Sequence, residues 1–195
     1  MAVGKTQELS LEKGRRLLQL VRETIGHHLG MVDGIDLEDI QDPLLLKPCG
    51  TFVTLKYHNN LRGCIGNLEP SESMVESLRK NALNAAFHDH RFSPLTPAEY
   101  DTVVLEISIL SQPELLEYVD AADLLNRLRP GIDGVILQAG GSRATFLPQV
   151  WSQLPEPELF LTHLSQKAGL DGQAWRTHHP DIFCYQVQSF TEKTI

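Results

Sequence analysis

The sequence predicts an α+β fold: a mainly antiparallel sheet flanked by helices. Three observations point there. Two pairs of short β-branched or aromatic runs are separated by Asn- or Gly-containing turn segments, at residues 51–66 and 134–147, which is how hairpins are written. Two long amphipathic stretches precede and follow the first hairpin. The order of elements lacks the steady βαβα alternation of a doubly wound sheet.

The first helix is expected over 10–29, where Leu11, Leu17, Leu18, Val21, Ile25 and Leu29 recur at helical spacing. Gly30 and Asp33-Gly34 end it, and 31–50 is a connection carrying Pro43 and Pro48. Thr51–Tyr57 reads as a strand, with Asn59-Asn60 as a two-residue turn because Asn tolerates positive φ. That turn pairs Tyr57 with Arg62, Leu55 with Cys64 and Val53 with Gly66, which sets the thiol in an apolar neighbourhood; a slip of one residue reverses it.

Ser71 or Ser73 opens the next helix, and Ser73 with Glu76 has capping-box spacing. Met74, Leu78, Ala82, Ala85 and Ala86 are its buried stripe. It runs out at His88-Asp89-His90-Arg91, beyond which Pro94 and Pro97 mark a loop. Val103–Leu110 is a strand with Val103, Leu105, Ile107 and Ile109 on one face. A short helix follows at 121–128, then the hairpin around Ala139-Gly140-Gly141, a helix over 159–168 closed by Gly169, and a last strand over 182–190. Gly140-Gly141-Ser142-Arg143 opens no helix and is a turn, not a phosphate cradle. Trp151, Phe160 and Trp175 are core or lobe-docking aromatics.

Bulk properties narrow the function classes. The chain has 195 residues, 42% hydrophobic and 22% charged, as in an ordinary globular domain. A formal charge of −8 disfavours a nucleic-acid binder with a broad basic face. No apolar run approaches the roughly 20 residues of a membrane helix, and no secretory leader is read at 1–19. Three widely spaced cysteines, Cys49, Cys64 and Cys184, fit neither a disulfide framework nor a CxxC zinc pattern. A cytoplasmic protein is expected.

The chemistry concentrates in Leu61-Arg62-Gly63-Cys64-Ile65-Gly66. Glycines inside a strand mark a bulge or a close approach. A guanidinium near a thiol favours thiolate and suits an anion. Cys64 is therefore a nucleophile or ligand contact, or else a small packed hydrophobe. His88-Asp89-His90-Arg91 is either a polar helix end, with Asp89 bracing the loop through Arg91 or another arginine, or a source of a base or metal ligand. The eight histidines form no HExxH or facial-triad spacing, so no metal is expected. No cofactor motif is present either. Glu106 falls opposite in parity to the apolar strand face, as a cleft carboxylate or an exposed strand residue.

These residues resemble the AMMECR family, called the AmmeMemoRadiSam system protein A group in prokaryotes. The hexamer at 61–66 is similar to that family's signature. The likeness continues through Asp89-x-Arg91-Phe92 with Pro94, Glu106-Ile107-Ser108-Ile109-Leu110-Ser111, Gly131-x-x-Gly134, Leu147-Pro148-Gln149-Val150, Lys167-Ala168-Gly169-Leu170, Trp175 and Phe190-x-Glu192. His90 stands where the family commonly has Pro. The resemblance implies one AMMECR-type domain over 1–195, built of a larger and a smaller lobe with a cleft between them and the hexamer near that cleft. It also implies company, a Memo-type protein and a radical-SAM protein, but no established reaction. The leading expectation is a protein that binds a small anionic ligand or a partner segment through Arg62, Gly63, Cys64, Gly66, Asp89, Arg91 and Glu106. The alternative is an enzyme with Cys64 as nucleophile, Arg62 as charge stabiliser and His88 as base.

Overall fold

The computed structural model describes residues 9–34, 42–68 and 72–193. Part of the first connection (35–41) and Ser71, the alternative helix start, lie outside the described residues. The chain divides into two compact units, one formed by Ser111–Val187 and the other by residues 9–110 with 188–193.

In the second of these, α1 (Leu11–His28) begins at Ser10, whose hydroxyl accepts from Lys13 N–H. This satisfies one of the amides that the first turn leaves without a partner. Leu17, Leu18, Val21 and Ile25 are buried on one stripe. Strands β1 (Thr51–Tyr57) and β2 (Asn60–Asn67) form a hairpin. Helix α2 (Met74–Phe87) starts in a full capping box between Ser73 and Glu76 and buries Met74, Leu78, Ala82, Ala85 and Ala86. Strand β3 (Val104–Leu110) pairs with β1, and β8 (Val187–Thr191) completes a sheet of order β2-β1-β3-β8. Val53, Leu55, Leu105 and Ile107 are fully buried in one core with the stripes of α1 and α2.

The 111–187 unit has its own sheet, β4 (Glu114–Leu115), β7 (Asp181–Tyr185), β5 (Gly134–Ala139) and β6 (Ser142–Phe146), in that order. Helices α4 (Ala121–Arg127), α5 (Pro157–Lys167) and α6 (Ala174–Thr177) and a 3-10 turn at Pro148–Ser152 accompany it. Its core holds Trp175, Phe160 and Trp151, the last two stacked at 3.7 Å. Both sheets are antiparallel. No helix among the described residues is long and apolar enough to cross a membrane.

The antiparallel strands divide between two sheets. Three expectations need correction. The last strand is two strands, β7 and β8, which belong to different sheets. They part at Gln186, whose N–H donates to the Ser111 hydroxyl while its carbonyl accepts Ser111 N–H. A side chain thus takes the amide that a continuing ladder would use. The stretch after Pro94 is not loop throughout, since Thr96 and Glu99 close a capping box on α3 (Pro97–Tyr100). The third correction concerns the first hairpin. Its turn is His58-Asn59, with φ of 48° and 66°, not Asn59-Asn60. Both turn residues are left-handed, as in the tight turns that match strand twist.

Candidate functional site

The shifted turn moves every pair in the hairpin. Tyr57 meets Asn60 and Lys56 meets Leu61; then the register jumps and Leu55 meets Gly63, Thr54 meets Cys64 and Phe52 meets Gly66. Arg62 is the extra residue at that jump, a bulge that turns its side chain out of the ladder. Cys64 consequently lies opposite Thr54 and not Leu55. Its thiol accepts a hydrogen bond from Thr54 Oγ1 at 3.3 Å on the face opposite the core. Thr54 also pairs with Glu106 on its other side, so thiol, hydroxyl and carboxylate form a row across three strands. Glu106 is bound to Lys56 at 2.7 Å.

The two glycines have packing reasons. A Cβ on Gly63 would sit 2.1 Å from the carbonyl oxygen of Ala85, so only glycine lets the strand lie this close to α2. A Cβ on Gly66 would meet the Phe52 ring at 2.3 Å and Thr51 O at 2.4 Å.

Strand β2 is the sheet edge, and an edge strand exposes a row of unpaired amides and carbonyls. At Cys64 both are taken. Cys64 N–H donates to Asp89 Oδ2 at 2.9 Å, and Cys64 O accepts from Arg91 Nη2 at 3.0 Å. Asp89 and Arg91 are joined in turn by Nε–Oδ1 and Nη2–Oδ2 contacts of 2.9 and 2.7 Å, the fork geometry that makes such pairs strong. The Asp89 side chain is 4% exposed and that of Arg91 56%. Hydrogen bonds from Arg91, assisted by the amide of Cys64, hold the Asp89 carboxyl well below the usual carboxylate range. The pair acts as a residue-sized substitute for a neighbouring strand.

Arg62 is committed elsewhere. Its Nε and Nη2 reach the two oxygens of Glu99 at 2.8 and 3.2 Å, and Nη2 also donates to Pro94 O at 3.4 Å. Glu99 accepts the N–H and hydroxyl of Thr96 as well. The Arg62 guanidinium, with the Thr96 groups, lowers the Glu99 carboxyl to about 2. Sequence reasoning did not reach Glu99, although the Thr96-Pro97-x-Glu99 spacing is a local signal for a helix start. His88 is the exposed C-cap of α2, its N–H bonded to Asn84 O, and it shares no hydrogen bond with Cys64. The structure therefore gathers Cys64, Asp89 and Arg91 at one point, with Glu106 along the same strand row. It places Arg62 on Glu99 and leaves His88 at a helix end. Among the described residues no group of three or more His, Cys, Asp and Glu side chains is placed to hold a metal ion.

Comparison with known proteins places this geometry in a family. The AMMECR1 family model matches residues 18–190. The chain belongs to the AMMECR1 family. A protein of Methanothermobacter thermautotrophicus is 36% identical over 189 residues, 96% of this chain and 98% of the relative. Protein MJ0810 of Methanocaldococcus jannaschii is 35% identical, covering 94% and 92%. The crystal structure of uncharacterised protein PH0010 from Pyrococcus horikoshii superimposes with a TM-score of 0.77 at 32% identity, over 93% of this chain and 92% of that one. These AMMECR1-type relatives bring no established reaction with them.

Proposed function

We propose that this AMMECR1-type protein binds its target and does not transform it. The edge of the first sheet at Cys64 offers a thiol and the outward part of the Arg91 guanidinium to a small anionic ligand or to a segment of a partner protein. One observation carries this reading: the Asp89–Arg91 pair fixes both backbone groups of Cys64 while more than half of the Arg91 side chain stays exposed. A guanidinium has five N–H groups. Two of its nitrogens are used here, so Nη1 is left to meet a carboxylate or phosphate. Arg62 serves the site by holding the bulge to Glu99, and Gly63 and Gly66 serve it by packing. A Memo-type protein and a radical-SAM protein are the proposed partners, on the strength of the family resemblance.

The rival reading, a Cys64 nucleophile helped by Arg62 and His88, draws less support. The thiol's hydrogen bond comes from Thr54, and a nucleophile of this kind needs a base within reach. The separating experiment titrates the protein with inorganic phosphate, and separately with a Memo-type partner, in wild type, Arg91→Ala and Arg91→Lys. Arg91→Ala should weaken one of the two by at least about tenfold, the value of a charge-assisted hydrogen bond. Arg91→Lys should recover only part, because it keeps the charge and loses the fork. Both bindings unchanged in a folded Arg91→Ala protein would remove the reading. Alkylation mapped by peptide is the second arm. Cys49 and Cys184 are buried, and burial pushes their thiols up to about 11 and about 12, so they are internal controls. Cys64 labelling that has already reached its plateau rate at neutral pH would favour the enzyme instead.

A further inference from the structure

The 111–187 unit contains a cavity of about 500 Å³ that the Cys64 edge does not use. It is lined by Leu115 of β4 and the segment that follows it, by Arg127 at the end of α4, and by residues 179–182 leading into β7. Small-molecule sites span roughly 300–1,000 Å³.

Its aromatic wall is built under constraint. The rings of Tyr118 and His179 stack at 4.2 Å, 13° from parallel. The Tyr118 hydroxyl donates to Pro180 O at 2.6 Å, which anchors the phenol and fixes its ring. His179 has φ +47°, a left-handed conformation that costs a side-chain-bearing residue about 1 kcal/mol or more. Such strain persists where the surroundings impose it, and it concentrates at binding sites. Leu115 and Val119 add apolar surface that is 52% and 81% exposed.

The charge of the lining has a sign. Arg127 is its guanidinium, and Arg127 Nε is already bound to Asp123 Oδ2 at 2.9 Å. Glu117 and Asp181, both exposed, are the two carboxylates of the lining. Burial, and after it the Asp181 carboxylate, push the Tyr118 phenol up to about 12, so that carboxylate acts on the stacked pair itself.

We infer that this cavity binds a small organic cation, its ammonium group set between Glu117 and Asp181 and its apolar stem against the Tyr118–His179 stack. Ring faces attract cations and the carboxylates supply charge-assisted hydrogen bonds. A lysine side chain presents the same group, so the test separates the two sources.

The full chain is titrated with phenethylamine, with 3-phenylpropionate, and with N-acetyl-lysine amide, following the Tyr118 and His179 ring resonances. Phenethylamine should saturate these shifts and bind at least about tenfold more tightly than 3-phenylpropionate. Asp181→Asn should weaken it by about tenfold. His179→Gly removes the upper ring and relieves the positive φ, so it should lose binding with the melting temperature unchanged or raised. Equal or tighter binding of 3-phenylpropionate, no saturable shift, or full binding by His179→Gly would each overturn the assignment. Tighter binding of N-acetyl-lysine amide would overturn the free amine and transfer the cavity to a protein's lysine.

Discussion

The two glycine-bearing hairpins look alike in sequence, and their turns are built on opposite principles. In β5–β6 two of the three glycines, Gly140 and Gly141, are the turn, and the third, Gly134, opens β5 against the Tyr185 ring. Gly140 has φ +58°, and a Cβ on either Gly140 or Gly141 would meet open space. In β1–β2 the turn is made by His58 and Asn59, and the glycines lie within the strand, where a Cβ would strike backbone or ring atoms. Both hairpins put their second strand at a sheet edge, β2 and β6. The β2 edge is closed at Cys64 by a buried carboxylate and its arginine. The β6 edge is met by the Lys167 ammonium donating to Thr145 O at 3.0 Å, an exposed bond. Glycine in a turn solves a local backbone problem, while glycine in this strand makes room for a distant helix and so commits the hairpin to its place.

The sharpest way to break the comparison is to add one methyl group to each hairpin. Gly63→Ala forces Cβ onto a main-chain carbonyl that cannot rotate away, and it should cost about 3 kcal/mol or more, or leave the protein unfolded. Urea denaturation measures it. A Gly63→Ala protein within about 1 kcal/mol of wild type would mean that α2 and β2 can separate freely.

Next comes the edge itself. Asp89→Asn keeps the shape but removes the charge that holds Arg91, and it weakens the acceptor for Cys64 N–H. A loss of about 2 kcal/mol is expected, the cost of a buried donor left poorly satisfied. Hydrogen exchange should report it locally, with the Cys64 amide losing protection before the amides of β3. Uniform loss across the sheet would show that Asp89 stabilises the whole unit and not the edge.

How far these features were legible in the chain follows from their range. Helix α1 with its Ser10 cap, the Ser73–Glu76 box and the Met74–Ala86 stripe are written within a few residues, and they can be read there. The Thr96–Glu99 box was as local and stood ready to be read. The register of β1–β2 was not legible, because Asn59 tolerates positive φ in either candidate turn and the bulge at Arg62 has no local signature. The partition of 182–190 into two sheets depends on Ser111, 75 residues from Gln186. A loop brace from Asp89 to Arg91 or another arginine was legible locally. The grip of Asp89 and Arg91 on Cys64 spans 25 and 27 residues and needed the fold.

A smaller effect sharpens the contrast between the bulge and the plain turn. Glu99 has its carboxyl lowered to about 2 in the folded protein, against an ordinary value near 4.3. A depressed carboxyl contributes stability that is fully present above its unfolded value and is lost as pH falls through the folded one. Wild type should therefore exceed Glu99→Gln in stability at pH 6, with the gap shrinking from about pH 5 and closing near pH 2. Denaturation midpoints of the two proteins across that range give the curve. A constant gap would assign the loss to packing of the side chain and not to its charge on Arg62.

The smallest effect belongs to β5–β6. Gly141→Ala adds a Cβ to open space at a position without positive φ, and it should fall within about 0.5 kcal/mol of wild type. Gly140→Ala, at φ +58°, should cost about 1 kcal/mol from backbone strain alone. Neither substitution should alter phosphate or partner binding at Cys64, because the turn carries no part of that edge. The order Gly63 far above Gly140, and Gly140 above Gly141, is what the two building principles require. If Gly141→Ala proved as costly as Gly63→Ala, the β5–β6 turn would have to be pressed against something in solution, and the distinction between the hairpins would fall.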